Sequence, residues 1–173
     1  MTDGCEARWL ADLDFDLEDY DAASRRYRET LDMWQDMGNK AELSVSLLLL
    51  GIAALHLDDF EHAAIVLRES LPLLRLSSAD LSNTFYITMN LVGLSELARR
   101  QKHLIRAARL LGAAEAIVAS MGARFGTVWV THSDIYESLI AAGHEKMDQA
   151  AWLEGQAMSV EQATEYALKD SNE

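Results

Sequence analysis

The sequence contains very few residues that cross-link a chain or interrupt helices. Its 173 residues include one cysteine, Cys5, and one proline, Pro72. A single cysteine excludes an internal disulfide, which fits a reducing compartment such as the cytoplasm. Because proline lacks a backbone N–H and breaks helices, its scarcity favours a nearly all-helical chain.

Long apolar runs and positive charge are also scarce. The longest apolar stretch, residues 47–57, is interrupted by Gly51 and His56, and it is far shorter than the roughly 20 residues that span a bilayer. The N-terminus is acidic and lacks the apolar run of a signal peptide. The formal net charge of −13 opposes binding to nucleic acid, which proteins hold mainly through its phosphates. We therefore predict a cytoplasmic protein that contacts neither membranes nor nucleic acid directly.

One basic cluster departs from this overall charge. It consists of Arg99, Arg100, Lys102, Arg106 and Arg109. Charged clusters of this kind usually form a solvated turn and helix face. We interpret the cluster in that way and not as a DNA-binding patch.

Three segments of the chain share one register of large and small residues. The first carries it at Leu10, Ala11, Tyr20, Ala23, Tyr27 and Thr30, the second at Leu50, Gly51, Phe60, Ala63, Leu67 and Ser70, and the third at Leu94, Ser95, Leu104, Ala107, Leu111 and Ala114. Fixed alternation of this kind suits two antiparallel helices that touch closely and stack on the next pair. We therefore predict three helical hairpins.

Start and stop signals predict where these helices lie. We expect helices over about 5–15, 20–37, 40–57 and 60–76, a fifth that runs to about 101, and a sixth over about 104–121. Glycines at 38 and 122 end the second and sixth helices. Pro72 falls inside the fourth helix and is expected to kink or shorten it.

The register is lost after residue 122, but helical patterns continue. Residues 125–140 carry an apolar stripe at helical spacing, and residues 145–158 are expected to form another helix. Ser159 and Gln162 have the spacing of a capping box, which opens a last helix that extends to about Leu168.

The spacing of Leu50, Gly51, Phe60 and Ala63 resembles the tetratricopeptide repeat, and the likeness covers about residues 4–121. The tryptophan, the first-helix tyrosine and the closing proline that are usual in that family are absent. The resemblance implies an all-α, right-handed superhelix of hairpins in residues 1–121. Residues 122–173 are expected to cap it, because the end of a repeat array otherwise exposes an apolar face. An uncapped end would instead favour a homodimer.

Two strings in the C-terminal third resemble the end of bacterial LuxR-type transcriptional regulators with a signal-transduction ATPase core. They are AARLLGAAEAI at residues 107–117 and AWLEGQAMSVEQATEYAL at residues 151–168. The resemblance implies the sensor arm of such a regulator, with ATPase and DNA-binding domains attached if the chain is a fragment. The sequence has no G-x-x-x-x-G-K-[ST] loop and no helix-turn-helix after residue 168, so neither activity is carried over to it.

In a tetratricopeptide superhelix, the first helix of each hairpin lines the concave surface. Transferring the register predicts a groove lined by Arg8, Asp12, Val45, Leu48, Ile52, Met89, Val92, Glu96 and Arg99. The third helix is apolar on nearly every side, which is typical of a helix buried all round. The groove therefore either binds an apolar ligand or partner segment, or is filled by the C-terminal helices of the chain itself.

These features predict a non-catalytic interaction or regulatory module that binds a protein segment or a small effector. The alternative is a small-molecule receptor with an apolar concave pocket. No enzyme, cofactor or metal site is expected, because the histidines lack ligand spacing and HEKMD at His144 lacks the second histidine of the zinc motif. Cys5 has no paired histidine signature that would make it a nucleophile.

Overall fold

The structure, a computed structural model, describes residues 4–76, 81–122, 133–144 and 147–169. The regular structure in these ranges consists of nine helices and no strand. The helices are α1 (Gly4–Asp16), α2 (Tyr20–Asp36), α3 (Lys40–His56), α4 (Phe60–Leu76), α5 (Leu81–Arg100), α6 (Leu104–Ser120), α7 (Ser133–His144), α8 (Gln149–Gln156) and α9 (Val160–Leu168). The predicted all-α fold is confirmed.

The helices form two compact units, residues 1–79 and residues 80–173. In unit 1, α1 packs against α2, α2 packs against α3, and α3 packs against α4. In unit 2, α5 packs against α6, α6 packs against α8, and both α7 and α9 contact α5 and α6. The predicted grouping of all three hairpins in residues 1–121, with residues 122–173 as a cap, stays a prediction.

Polar side chains cap the first turns of several helices. The side chain of Asp19 accepts a hydrogen bond from the backbone of Ala22 at the start of α2, and Asn39 does the same at the start of α3. Ser159 and Gln162 form the predicted capping box at the start of α9. Each cap satisfies a backbone N–H that the first helical turn leaves without an intrahelical partner.

Pro72 does not shorten α4, which continues through it to Leu76. The proline lies on the exposed side of the helix, where solvent can satisfy the carbonyl that loses its partner. Leu71 and Leu74 on either side of it are fully buried, so their packing supports the helix beyond the proline.

The structure describes only part of the first predicted C-terminal helix, and the second is shorter than the sequence pattern predicts. Of the apolar stripe over residues 125–140, the structure assigns the part from Ser133 onward to α7, and residues 123–132 lie outside the described ranges. The helix predicted over 145–158 appears as α8, Gln149–Gln156.

Two glycines allow α6 and α8 to approach backbone to backbone. A Cβ on Gly112 would overlap the carbonyl oxygen of Trp152, and a Cβ on Gly155 would overlap that of Arg109. Only a residue without a side chain fits at either position. Unit 2 therefore uses glycine on both helices of this contact, whereas Gly51 in unit 1 faces side chains of α4.

Candidate interaction surfaces

Arg8 and Asp12, the two polar residues predicted for the groove in unit 1, make polar contacts that connect helices. Arg8 Nη1 donates to Asp12 Oδ2 at 3.3 Å, and Arg8 Nε lies 3.1 Å from Oε2 of Glu42 on α3. The buried hydroxyl of Tyr27 on α2 donates to Asp12 Oδ1 at 2.8 Å. These contacts link α1, α2 and α3 and place Asp12 at the edge of the core, where its carboxylate has partners from two helices.

The three apolar residues predicted for the groove in unit 1 are buried. Val45 is 7% exposed, and Leu48 and Ile52 have no exposed surface. Because α3 is buried along nearly its whole length from Ser44 to Leu55, these side chains offer no surface to a partner in this conformation. Their role in a binding groove stays a prediction.

The groove residues predicted in unit 2 are also buried or paired. Met89 and Val92 are each 1% exposed. The buried carboxylate of Glu96 accepts two hydrogen bonds from Arg99, at 2.6 and 2.7 Å, and one from Arg100 at 2.7 Å. Glu96 and Arg99 are thus partners of each other, and two cations surround a single carboxylate.

Two further members of the basic cluster, Arg106 and Arg109, connect helices within unit 2, whereas Lys102 is exposed. Arg106 Nη2 donates to the carbonyl oxygens of Ala167 and Lys169, at 2.8 and 2.9 Å. Arg106 therefore departs from the solvated face that the sequence predicts, because its charge satisfies carbonyls that the end of α9 leaves open. Arg109 pairs with Glu154 on α8. The pKa of Arg109 is raised, first by a hydrogen bond to Tyr166 and to a smaller extent by the hydrogen bond to Glu154.

The histidines of the described residues do not converge on a metal site. No group of three or more histidine, cysteine, aspartate or glutamate side chains in these ranges could hold a metal ion. His144 Nε2 lies 2.7 Å from Glu115, and the indole N–H of Trp152 donates to the same carboxylate at 2.8 Å. These contacts join α6, α7 and α8.

None of the described helices is long and apolar enough to cross a membrane.

A surface pocket of about 390 Å³ lies beside the ends of α8 and α9. Its polar lining includes Glu154, Glu165, Tyr166 and Lys169. Glu154 is already paired with Arg109, and the guanidinium of Arg106 lies 5.1 Å from the centre of the Tyr166 ring. Two of the pocket's polar groups are therefore engaged with α6.

The first helix, together with Leu17 directly after it, carries an apolar surface that the groove prediction does not include. Trp9, Leu13 and Leu17 follow one another at intervals of four residues, and they are 72%, 54% and 69% exposed. Leu10, on the same side of the helix, is 38% exposed. We name these four residues the α1 stripe. Their helical spacing is visible in the sequence, but nothing in it indicates that this face is the exposed one.

Residues 5–75 match the family model of the tetratricopeptide repeat. The match covers almost all of α1 to α4, so the predicted repeat is confirmed for unit 1, and the fold is an all-α, tetratricopeptide-like helical repeat. The search of curated proteins and the search of solved structures each found no match.

Proposed function

We propose that this chain is a non-catalytic interaction module that binds a protein segment at the α1 stripe. The single observation that carries the proposal is an exposed, contiguous apolar face on the first helix of a region that matches the tetratricopeptide repeat. Repeats of this family generally mediate protein–protein interaction. Contiguous exposed apolar patches on folded proteins commonly mark binding sites.

We further propose that the module is the sensor arm of an ATP-dependent bacterial transcriptional regulator. The two strings at residues 107–117 and 151–168 support this, since both resemble the end of LuxR-type regulators. The expected partner is then a polypeptide with a nucleotide-binding core, either on the same chain or on a separate one. The module itself would bind neither ATP nor DNA.

Site-specific photo-crosslinking in the organism that encodes the chain tests the proposal. An apolar photo-reactive amino acid replaces Leu13 in one variant and Ile65 in the control variant. Ile65 lies on α4 of the same unit and is 57% exposed, close to the exposure of Leu13. We expect a crosslink from position 13 to one partner segment, identified by mass spectrometry, and none to that segment from position 65.

Two outcomes would contradict the proposal. Equal crosslinking to the same segment from both positions would mean that the α1 stripe is not the binding surface. ATP hydrolysis by the purified chain would mean that the module is not purely an interaction domain. A partner without a nucleotide-binding core would leave the interaction module intact and remove the regulator assignment.

A small effector held by α3 is the second candidate function. It is supported by the nearly continuous apolar sequence of α3, with Val45, Leu48 and Ile52 as contacts. These side chains are buried, so an effector could reach them only if the chain opened. Native mass spectrometry of the freshly purified chain tests this candidate: a co-purifying small molecule supports it, and a bare protein mass counts against it.

A further inference from the structure

Most of the face of α3 that corresponds to the α1 stripe is covered by another helix, and only Leu57, at the position of Leu17, is partly exposed, at 39%. In the repeat register, Leu49, Leu50 and Ala53 on α3 occupy the positions of Trp9, Leu10 and Leu13 on α1, and they are 3%, 0% and 0% exposed. They share a face with Ser46 because they follow it by three, four and seven residues.

That face of α3 meets α2. The hydroxyl of Thr30 on α2 lies 3.3 Å from the hydroxyl of Ser46, and α2 and α3 pack along each other. The opposite side of α3 meets α4, where a Cβ on Gly51 would come within 2.6 Å of Leu67. The α1 stripe therefore corresponds to the face of α3 on which α2 packs.

The length of the α1 stripe determines how long a helix must be to cover it. Trp9 and Leu17 are eight residues apart, which corresponds to about 12 Å along the helix axis. A helix of roughly three to four turns, with apolar residues at intervals of three and four, is long enough to cover it.

The charge around the stripe sets the chemistry of the occupant. Residues 4–19 contain six acidic residues and one basic residue, Arg8. Arg8 lies against Asp12 and Glu42, so its charge is offset within unit 1. Glu6 is exposed beside the first turn of the stripe, and Glu18 and Asp19 are exposed just after Leu17. Both ends of the stripe are therefore acidic.

We propose that the α1 stripe binds a basic amphipathic helix of a partner polypeptide, with its apolar face on the stripe and lysine or arginine side chains beside the acidic ends. This inference rests on the proposed function and specifies its partner. A second copy of the chain is the less suitable occupant, because two such faces would bring like charges together. A helix with basic flanks covers the same apolar surface and gains attraction at both ends.

Fluorescence anisotropy with three synthetic peptides of roughly 15 residues tests the proposal. The first has leucines at intervals of four and three along one face and lysines on both flanks. The second replaces every lysine with glutamate, and the third has the composition of the first in an order without an apolar stripe. We expect the first peptide to bind at least about tenfold more tightly than either of the others.

Two matched protein variants separate specific docking from general attraction to an acidic protein. Leu13→Gln removes an apolar side chain from the stripe, and Ile65→Gln removes a similarly exposed one from α4. Neither variant changes the charge of the chain, and circular dichroism verifies that each is folded. We expect Leu13→Gln to weaken binding of the first peptide about tenfold and Ile65→Gln to leave it within about twofold.

The charge part of the proposal is tested in the same assay. Glu6→Gln and Glu18→Gln together should weaken binding about threefold or more and make it less sensitive to salt. Glu61→Gln, at an exposed position on α4, removes one charge away from the stripe and should change the affinity by less than about twofold.

Four outcomes would overturn the proposal. The glutamate peptide could bind as tightly as the lysine peptide, or the peptide without a stripe could do so. The chain could instead form a dimer that Leu13→Gln dissociates, in which case a second copy is the occupant. A crosslink from position 13 to a segment without basic flanks would refute this partner chemistry and still support the proposed function.

Discussion

The helices α1 and α3 each open a hairpin of unit 1 in the same register, yet the two have opposite environments. Ala53 on α3 has no exposed surface, whereas Leu13 at the same register position on α1 is 54% exposed. Leu13, which has the larger apolar side chain, is therefore the one exposed to solvent. The repeat register therefore defines which face packs, whereas burial depends on whether a neighbouring helix covers that face.

The largest expected effect comes from a polar residue on the covered face. Ala53→Gln forces a long side chain into a site with no free surface and buries its amide. Overpacking costs about 1–3 kcal/mol, and an amide without partners adds about 1–3 kcal/mol, so we expect a loss of about 4 kcal/mol in the free energy of unfolding. Hydrogen exchange measured by mass spectrometry on α3 peptides would show this loss.

Ala53→Ser is the control for this prediction. Its smaller side chain can bond to a carbonyl of the preceding turn, so a much smaller loss is expected. Equal protection of α3 in Ala53→Gln and in the original chain would mean that α2 does not cover this face.

The second effect concerns the side of α3 that faces α4. A Cβ on Gly51 would lie 2.6 Å from Cγ of the fully buried Leu67. Gly51→Val therefore requires the two helices to separate, and we expect a loss of roughly 2 kcal/mol in the free energy of unfolding, measured by urea denaturation.

Ala11 holds the same register position on α1 and serves as the matched comparison. Ala11→Gly should cost about 1 kcal/mol through helix propensity, with a further loss because the methyl group that it removes is fully buried. If Gly51→Val were as stable as the original chain, the close contact between α3 and α4 would not be a constraint.

The smallest expected effect is on the exposed face itself. Leu13→Gln should change the free energy of unfolding by less than about 0.5 kcal/mol, because most of the side chain already lies in solvent. Urea denaturation of this variant and of Ala53→Gln under the same conditions measures the loss in the free energy of unfolding for each of the two helices. A loss from Leu13→Gln as large as that from Ala53→Gln would show that α1 is covered in solution.

Local signals in the sequence predicted the helices of unit 1 to within a residue or two. Asp19 and Asn39 start α2 and α3 because their short polar side chains reach the backbone N–H groups of the first turn. Gly38 follows α2 with a φ of 65°, a conformation that glycine adopts without steric cost. Such signals act between near neighbours in the chain, so they can be found without knowing the fold.

The candidate site could not be predicted in the same way. The register placed Ile52 and Arg8 on one surface, but Ile52 is fully buried and Arg8 lies against Asp12 and Glu42. Arg106 has the sequence context of a solvated cation, yet it donates to the carbonyl of Ala167, which is 61 residues away in the chain. Contacts over such separations depend on packing, and one sequence does not specify them.

The sequence alone determined that this chain is helical, where most helices begin and end, and that unit 1 repeats one small-and-large pattern. These properties follow from backbone hydrogen bonding and side-chain shape over a few residues. The tertiary structure alone decided that Leu49, Leu50 and Ala53 are covered while Trp9, Leu10 and Leu13 are not. The reason is that burial requires a second surface, and the same helical face is core or binding site according to what packs against it.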